Sequence, residues 1–512
     1  YSPAEQSDLI IQMELLRKYQ LDANQRETQL KKELKKINNM KKSDDSEKTW
    51  EIDFLLQEFS VKAIQSFLPE NLDVATSWII NPTLQLNAKL PDSLHKWDLL
   101  SLGVNGAFKL QVESDKLHLP ASDDILENLS LGIETDFAQK DETLLIKDAH
   151  IRLKAKHQDY WVPAVDLGIN LQVSKENILI DGRVLNVQEK DIGIINGVYN
   201  LREESLALHL NSVSNEFHSG RGALSEWFES WPFPVDVERG ELNWQAAITW
   251  SEAAGLAGFD VMMSLEGLSG FVNNIIFKGM QSKLIIGLQE DGDWTLRTEL
   301  PLTVESLDGG LVVSAVSSSL QANLTRGEYG GADFKASLFG GHVEAPTWFY
   351  SPTKFPNHNK ILFHSMDIAT LVDEAGYEGI EGSGMIAGEL PVEIDAKGLS
   401  VDDGLLYAVQ PGGVLRYIPS AAAKQAAIEN PSLSLVNQAL SNYHYHLLKA
   451  SVDYAKNGDL QLSMRMEGKN PDMNGGQEIN LNLNVSESIP SLLKSLQASR
   501  IVTDALSKEI QE

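Results

Sequence analysis

The sequence contains no cysteine, which excludes a disulfide framework, thiolate chemistry and any zinc–cysteine site. Freedom from thiols suits an oxidising compartment, where a stray cysteine would mispair. Long apolar runs are missing as well: no stretch approaches the ~18 consecutive apolar residues of a membrane-spanning helix. The chain starts at Tyr1 rather than Met, with no signal peptide in view, and so reads as a processed or truncated piece of a longer protein. Basic residues are scarce, since 43 Lys and Arg against 72 Asp and Glu leave a formal net charge of -29. Phosphate backbones require clustered Lys and Arg, so nucleic acid is excluded as a partner. The same deficit argues against docking along an anionic membrane surface.

Catalytic signatures are also missing. There is no HExxH, no GxSxG elbow, no Walker loop and no GxGxxG, and no nucleophile or acid–base constellation assembles from the remaining residues. The chain therefore reads as non-enzymatic and calls for no cofactor. The best metal pair, His444 with His446 across Tyr445, has no third ligand at a recognisable spacing. Asp291-Gly292-Asp293 lacks the later ligands of a calcium loop. It reads as a hairpin turn, as does Asp402-Asp403-Gly404.

What the sequence does have is apolar content, at 42%, and a period. Residues 1 to about 42 carry Leu9, Ile10, Met13, Leu16, Leu30, Leu34 and Ile37 at helical spacing, and residues 50 to 80 place Phe54, Leu55, Phe59, Ile64, Phe67 and Leu68 before Pro69. Residues 1–80 are thus expected to be a helical segment, packed on its neighbour or paired as a coiled coil. From about residue 82 the period becomes two. Leu84, Leu86, Ala88 and Leu90 alternate with polar residues, and so do Leu206, Leu208 and Leu210. Leu242, Trp244, Ala246, Ile248 and Trp250 make one strand face, and Phe334, Ala336 and Leu338 another. Near the C-terminus, Leu460, Leu462, Met464 and Met466 are followed by Ile479, Leu481, Leu483 and Val485 opposite Asn480, Asn482 and Asn484. This is the pattern of antiparallel strands with one dry and one wet face. Asp291-Gly292, Gly309-Gly310, Gly340-Gly341, Asn457-Gly458 and Gly475-Gly476 supply turn signals.

The expected fold is therefore mainly β: a long, twisted, curled, antiparallel-rich sheet over 81–490 that forms an open apolar groove. Helical insertions are expected near 220–231, 368–375 and 420–442, and a C-terminal helix over 491–512 after Pro490. A sheet with one dry face must cover it with a second layer, curl on itself or hold an apolar ligand. The predicted helices are too few to cover it. Leu460, Leu462, Met464, Met466, Ile479, Leu481, Leu483 and Val485 are the candidate lipid-facing residues. An elongated envelope scaffold or adhesin-like stalk with a closed core and no cargo is the competing reading.

One region carries a resemblance. Phe339-Gly340-Gly341 is followed by Pro346, Trp348, Ile380-Glu381-Gly382-Ser383-Gly384 and Gly388-Glu389-Leu390-Pro391-Val392. Pro411-Gly412-Gly413-Val414-Leu415-Arg416-Tyr417 closes the series. The order and spacing over about 334 to 486 resemble the C-terminal part of the YdbH-like proteins, in the AsmA-like family of bacterial inter-membrane lipid transport proteins. The resemblance implies a β-groove crossing the periplasm, with phospholipid as cargo. It also implies an inner-membrane anchor in a segment absent from this chain and a C-terminal end near the outer membrane. A small outer-membrane lipoprotein of the YnbE kind is the implied partner, and the strand 478–486 is the edge where it would add. Helix 491–512 folding back over that edge, or an earlier strand pairing with it, is the alternative. Gly412 and Gly413 are expected to form a tight backbone turn, whereas Arg416 would either serve the fold or point at a headgroup phosphate.

Overall fold

Alternating apolar and polar residues leave an extended backbone with one dry face, and such strands pair with their sequence neighbours when the turns are short. The computed structural model describes residues 49–55, 59–60, 79–89, 104–118, 125–140, 143–157, 163–213, 215–218, 223–289, 291–377 and 379–496. These residues are mostly strand, and every strand pairing is antiparallel. The chain divides into two compact units. The first comprises 1–215, 224–232 and 245–259, and the second 216–223, 233–244 and 260–512.

In the first unit, strands Thr49–Leu55, Ile79–Lys89, Val104–His118, Ile125–Lys140, Thr143–His157, Val165–Val173, Asn177–Leu185, Asp191–Asn200 and Ser205–Ser212 pair each with the next. The second half of Val235–Ser251 adds to the last of them. Two expectations are corrected here. Residues 50–80 were expected to be helical, yet Thr49–Leu55 and Phe59–Ser60 are strands. Trp50, Ile52 and Phe54 alternate with Glu51 and Asp53, a period of two that the later helical spacing concealed. Among the described residues the insertion near 220–231, expected to be helical, holds a single 3-10 turn, Leu224–Trp227. The helical reading of residues 1–42 lies outside the described residues.

In the second unit the pairing runs from residues 260–272 of strand Gly255–Val272 through Ile275–Leu288, Trp294–Asp308, Val312–Asn323, Glu328–Leu338 and Gly341–Tyr350 to Asn357–Asp367. It continues through Met385–Asp395, Gly398–Ala408, Tyr443–Tyr454 and Asp459–Lys469 to Glu478–Ser488. The sheet does not close: among the described residues Glu478–Ser488 pairs on one side only, with Asp459–Lys469. Helices interrupt the meander at Ile368–Glu374, Ala421–Glu429 and Pro431–Leu440, and another begins over 489–496. Pro431 starts its helix at the first turn rather than breaking one, with Asn430 as the cap.

Register breaks recur inside the strands. Asn128, Asp148, Ser365 and Asp403 adopt positive φ of 50 to 57° where pairing slips between Glu127 and Ser130, Ile146 and Ala149, Phe363 and Met366, and Val401 and Gly404. These are β-bulges, which bend the strand and raise its twist. Three of the four positions are Asn or Asp, which tolerate the left-handed region. Asp403 is thus a bulge within Gly398–Ala408, not the hairpin turn expected at 402–404.

Candidate lipid-binding face

Residues directly opposite each other across a ladder share a face, so the register itself draws the dry side. In the first unit Gly106, Phe137, Ile146, Leu171, Ile180, Gly197, Leu208 and Ile248 stand in one continuous row across eight strands. Every one of them is half-buried. The row on the opposite face reads Lys109, Glu134, His150, Gly168, Arg183, Ile194, Asn211 and Gln245. There Lys109 Nζ pairs with Glu134 Oε2 at 2.9 Å, and Arg152 Nε donates to Asp166 Oδ2 at 2.8 Å.

The second unit repeats the division. Ala336, Val343, Phe363, Gly388, Leu406, Ala450, Met464 and Leu483 form one apolar row. One residue along, the row reads Lys335, Glu344, Leu362, Glu389, Leu405, Ser451, Ser463 and Asn484. Small residues such as Ala450 are covered by neighbours, while Phe363, Leu406, Met464 and Leu483 stay half-buried. These four large side chains of the row therefore remain partly open to solvent.

The eight residues singled out from the sequence lie on two paired strands. Met464 stands opposite Leu483, Met466 opposite Leu481, Leu462 opposite Val485 and Gly468 opposite Ile479, whereas Leu460 stands opposite Glu487. Asn480, Asn482 and Asn484 point the other way and are exposed. Access differs along the pair. Leu460, Leu462, Met464, Ile479 and Leu483 are half-buried and Val485 is 38% exposed, but Met466 and Leu481 are only 1% and 8% exposed. The last two belong to a closed cluster with Leu440, Tyr443 and Tyr445, on which Ile368 and Val436 also pack. Helices Ile368–Glu374 and Pro431–Leu440 thus cover this end of the dry face. Tyr377, just past the first helix, donates its hydroxyl to Glu487 Oε2 at 3.2 Å. Burial, with Glu487 beside it, raises the Tyr377 pKa.

The glycine-rich motifs build the closed end. Strand Ile380–Ser383 pairs with Gly413–Tyr417, which pairs in turn with Tyr443–Tyr454. Gly412 and Gly413 therefore do not reverse the chain. They kink it, and the strand then resumes alongside the same neighbour. Gly384 and Gly412 have φ of +115° and +97°, and a Cβ there would lie 2.3 Å from Tyr445 Oη and 2.1 Å from the Tyr445 carbonyl oxygen. The Tyr445 hydroxyl donates to the Ser383 carbonyl at 2.8 Å, and that of Tyr443 to the Ile479 carbonyl at 2.6 Å. Burial, with nearby carboxylates adding to it, pushes both phenols up to about 12. Arg416 faces Glu381 at 3.7 Å on the polar side and is half exposed, while Tyr417 packs against the closed cluster.

His444 and His446 are exposed on the polar face, with His444 Nε2 3.2 Å from Asn442 Oδ1. Sequence reasoning missed Tyr443, Tyr445, Leu406 and Phe363. The broken alternation at the bulges hid them, although the aromatic pair flanking His444 was a usable signal.

The family model for YdbH-like proteins, described as intermembrane phospholipid transport protein YdbH, matches residues 228–511. No curated protein and no solved structure matches the chain. The match covers more than half of the sequence, so the chain belongs to the YdbH-like family of intermembrane phospholipid transport proteins.

Proposed function

We propose that this YdbH-like chain works as a periplasmic bridge that carries phospholipid between inner and outer membranes, acyl chains lying along the dry face. The observation that supports this most is the continuous apolar row across eight strands in each unit, half-buried throughout in the first and at Phe363, Leu406, Met464 and Leu483 in the second. A phospholipid with ~30 methylenes would cost roughly 25 kcal/mol to expose to water, at about 0.8 kcal/mol per methylene. A carrier across an aqueous gap needs an unbroken apolar path, with no binding residue specific to a headgroup. A groove of this kind supplies it. Leu460, Leu462, Met464, Leu483 and Val485 are the lining residues in reach of cargo at the C-terminal strands, and Met466 and Leu481 would join them only if the covering helices moved.

The unpaired side of Glu478–Ser488 is the proposed site for strand addition by an outer-membrane lipoprotein. The strand carries no Lys, Arg or Pro, the usual protections of an exposed edge. Among the described residues no helix is long and apolar enough to cross a membrane. Anchoring in the inner membrane is proposed to reside in a segment outside this chain.

The scaffold alternative draws on the closed cluster around Tyr443 and Met466, where the protein's own side chains fill the dry face. A photo-crosslinker distinguishes the two. At Leu462 or Leu171 it should capture phospholipid in cells, and at Asn482 it should not. Equal capture at all three positions, or none at Leu462 and Leu171, would remove the groove. Cysteine pairs between 478–488 and the lipoprotein test the edge, and failure at every register would sink it.

A further inference from the structure

The connection between Gly413–Tyr417 and Tyr443–Tyr454 is out of proportion to its task. The two strands pair directly, Leu415 opposite Tyr443, so a short turn would join them. Instead residues 418–442 form a helical hairpin, Ala421–Glu429 and Pro431–Leu440. Ala439 and Leu440 turn inward and are buried. Among its outward residues are four large apolar side chains: Ile418 is 59% exposed, Ile428 75%, Leu433 43% and Leu435 58%, beside the exposed Glu429, Asn430 and Ser432 of the tip. Ile428 and Leu433 flank the tip, whose geometry is fixed by capping. At the tip Asn430 Oδ1 accepts from the Ser432 amide at 3.0 Å, and at the base Ser420 Oγ accepts from the Ala423 amide at 3.2 Å. These side chains are presented on a preorganised tip rather than left loose.

Charge argues for what receives them. In a chain of net charge -29, residues 418–442 hold one Lys and one Glu, Lys424 and Glu429, and are neutral. A partner recognised by ion pairs finds nothing there, whereas an apolar layer under zwitterionic headgroups meets no repulsion. We infer that the tip of this hairpin inserts into the surface of a lipid bilayer and seats the covered end of the dry face against the leaflet. The inference rests on the lipid-carrying reading only in taking a membrane as the terminus of the path. Insertion is interfacial, because the two helices are too short to span a bilayer and only Ile428 and Leu433 flank the tip.

The full chain, which lacks cysteine, allows the test. Ile428→Cys, Leu433→Cys, Leu462→Cys and Asn482→Cys each take an environment-sensitive dye and are mixed with phosphatidylcholine vesicles. Dyes at 428 and 433 should brighten and be quenched by bromine-labelled acyl chains, while that at 482 should not change. Ile428→Asp combined with Leu433→Asp should lower vesicle partitioning by roughly tenfold per residue, with an unchanged circular dichroism spectrum, because both side chains are exposed. Adding phosphatidylglycerol should leave binding equal or weaker. Silence at 428 and 433 with a response at 462 overturns the hairpin and leaves the groove intact. Brightening at 428 without vesicles, with a dimer in sedimentation that the double Asp variant abolishes, assigns the tip to a second copy and overturns the bilayer. Binding that requires phosphatidylglycerol and is lost in salt also overturns it.

Discussion

The row through Phe137, Leu171 and Leu208 in the first unit and the cluster around Tyr443 and Met466 in the second come from the same alternation, yet they end in different states. The first is half-buried along its whole length. The second is closed, with Tyr443 at 0% and Tyr445 at 3% exposure. Strand chemistry does not separate them, since both present aliphatic and aromatic residues from antiparallel strands. The difference is the helical insertions, which place Ile368, Val436 and Leu440 on the second. Alternation creates a dry face, and whether it is a core or a path depends on what the connections lay over it.

The sharpest way to break the closed end is at its kink. Gly412→Val puts a side chain 2.1 Å from the Tyr445 carbonyl at a φ of +97°, so both sterics and backbone oppose it. A loss of about 4 kcal/mol or more is expected in chemical denaturation. Next comes a matched pair of truncations. Leu481→Ala removes a buried side chain and should cost about 2–4 kcal/mol, whereas Leu171→Ala in the open row should cost about 1. Equal losses would mean that the two faces are packed alike.

Alkali offers a gentler probe. Tyr443 and Tyr445 are held up to about 12 in the folded chain against an ordinary 10. Above pH 10 the unfolded chain releases protons that the folded one keeps. Their stabilisation is therefore full below pH 10 and lost as pH rises toward 12, at about 1.4 kcal/mol per pH unit for each phenol. Tyr445→Phe should flatten that slope in urea titrations at pH 9 to 12, and an unchanged slope would contradict the burial. The smallest effect is expected from Tyr377→Phe. It removes the hydrogen bond to Glu487 and should cost about 0.5–1 kcal/mol, while increasing dye accessibility at a Val485→Cys site.

Much of this was legible in the sequence. Leu460 through Met466 and Ile479 through Val485 alternate without interruption, and they form the paired strands their period predicts. The turns at Asp291-Gly292, Gly309-Gly310 and Asn457-Gly458 fall between strands as written. The insertions at 368–375 and 420–442 are helical, and helix 491–512 begins at 489, its part beyond 496 lying outside the described residues. The misses have two causes. At Asn128, Asp148, Ser365 and Asp403 a bulge shifts the parity, so a face followed by counting in twos changes sides. At Trp50, Ile52 and Phe54 three alternating residues were too short a signal against the helical spacing that follows.

By itself, then, the sequence determined the period of the uninterrupted strands, the turns at Asp291-Gly292, Gly309-Gly310 and Asn457-Gly458 and the helices near 368–375 and 420–442, because these follow from backbone geometry within a few residues. The tertiary structure decided which parts of the dry face stay open. Met464 and Met466 are two residues apart with the same local pattern, but only Met466 is sealed, at 1% exposure. Its cover comes from Leu440 and Leu481, and no local period encodes a contact between segments that meet only when the sheet has formed.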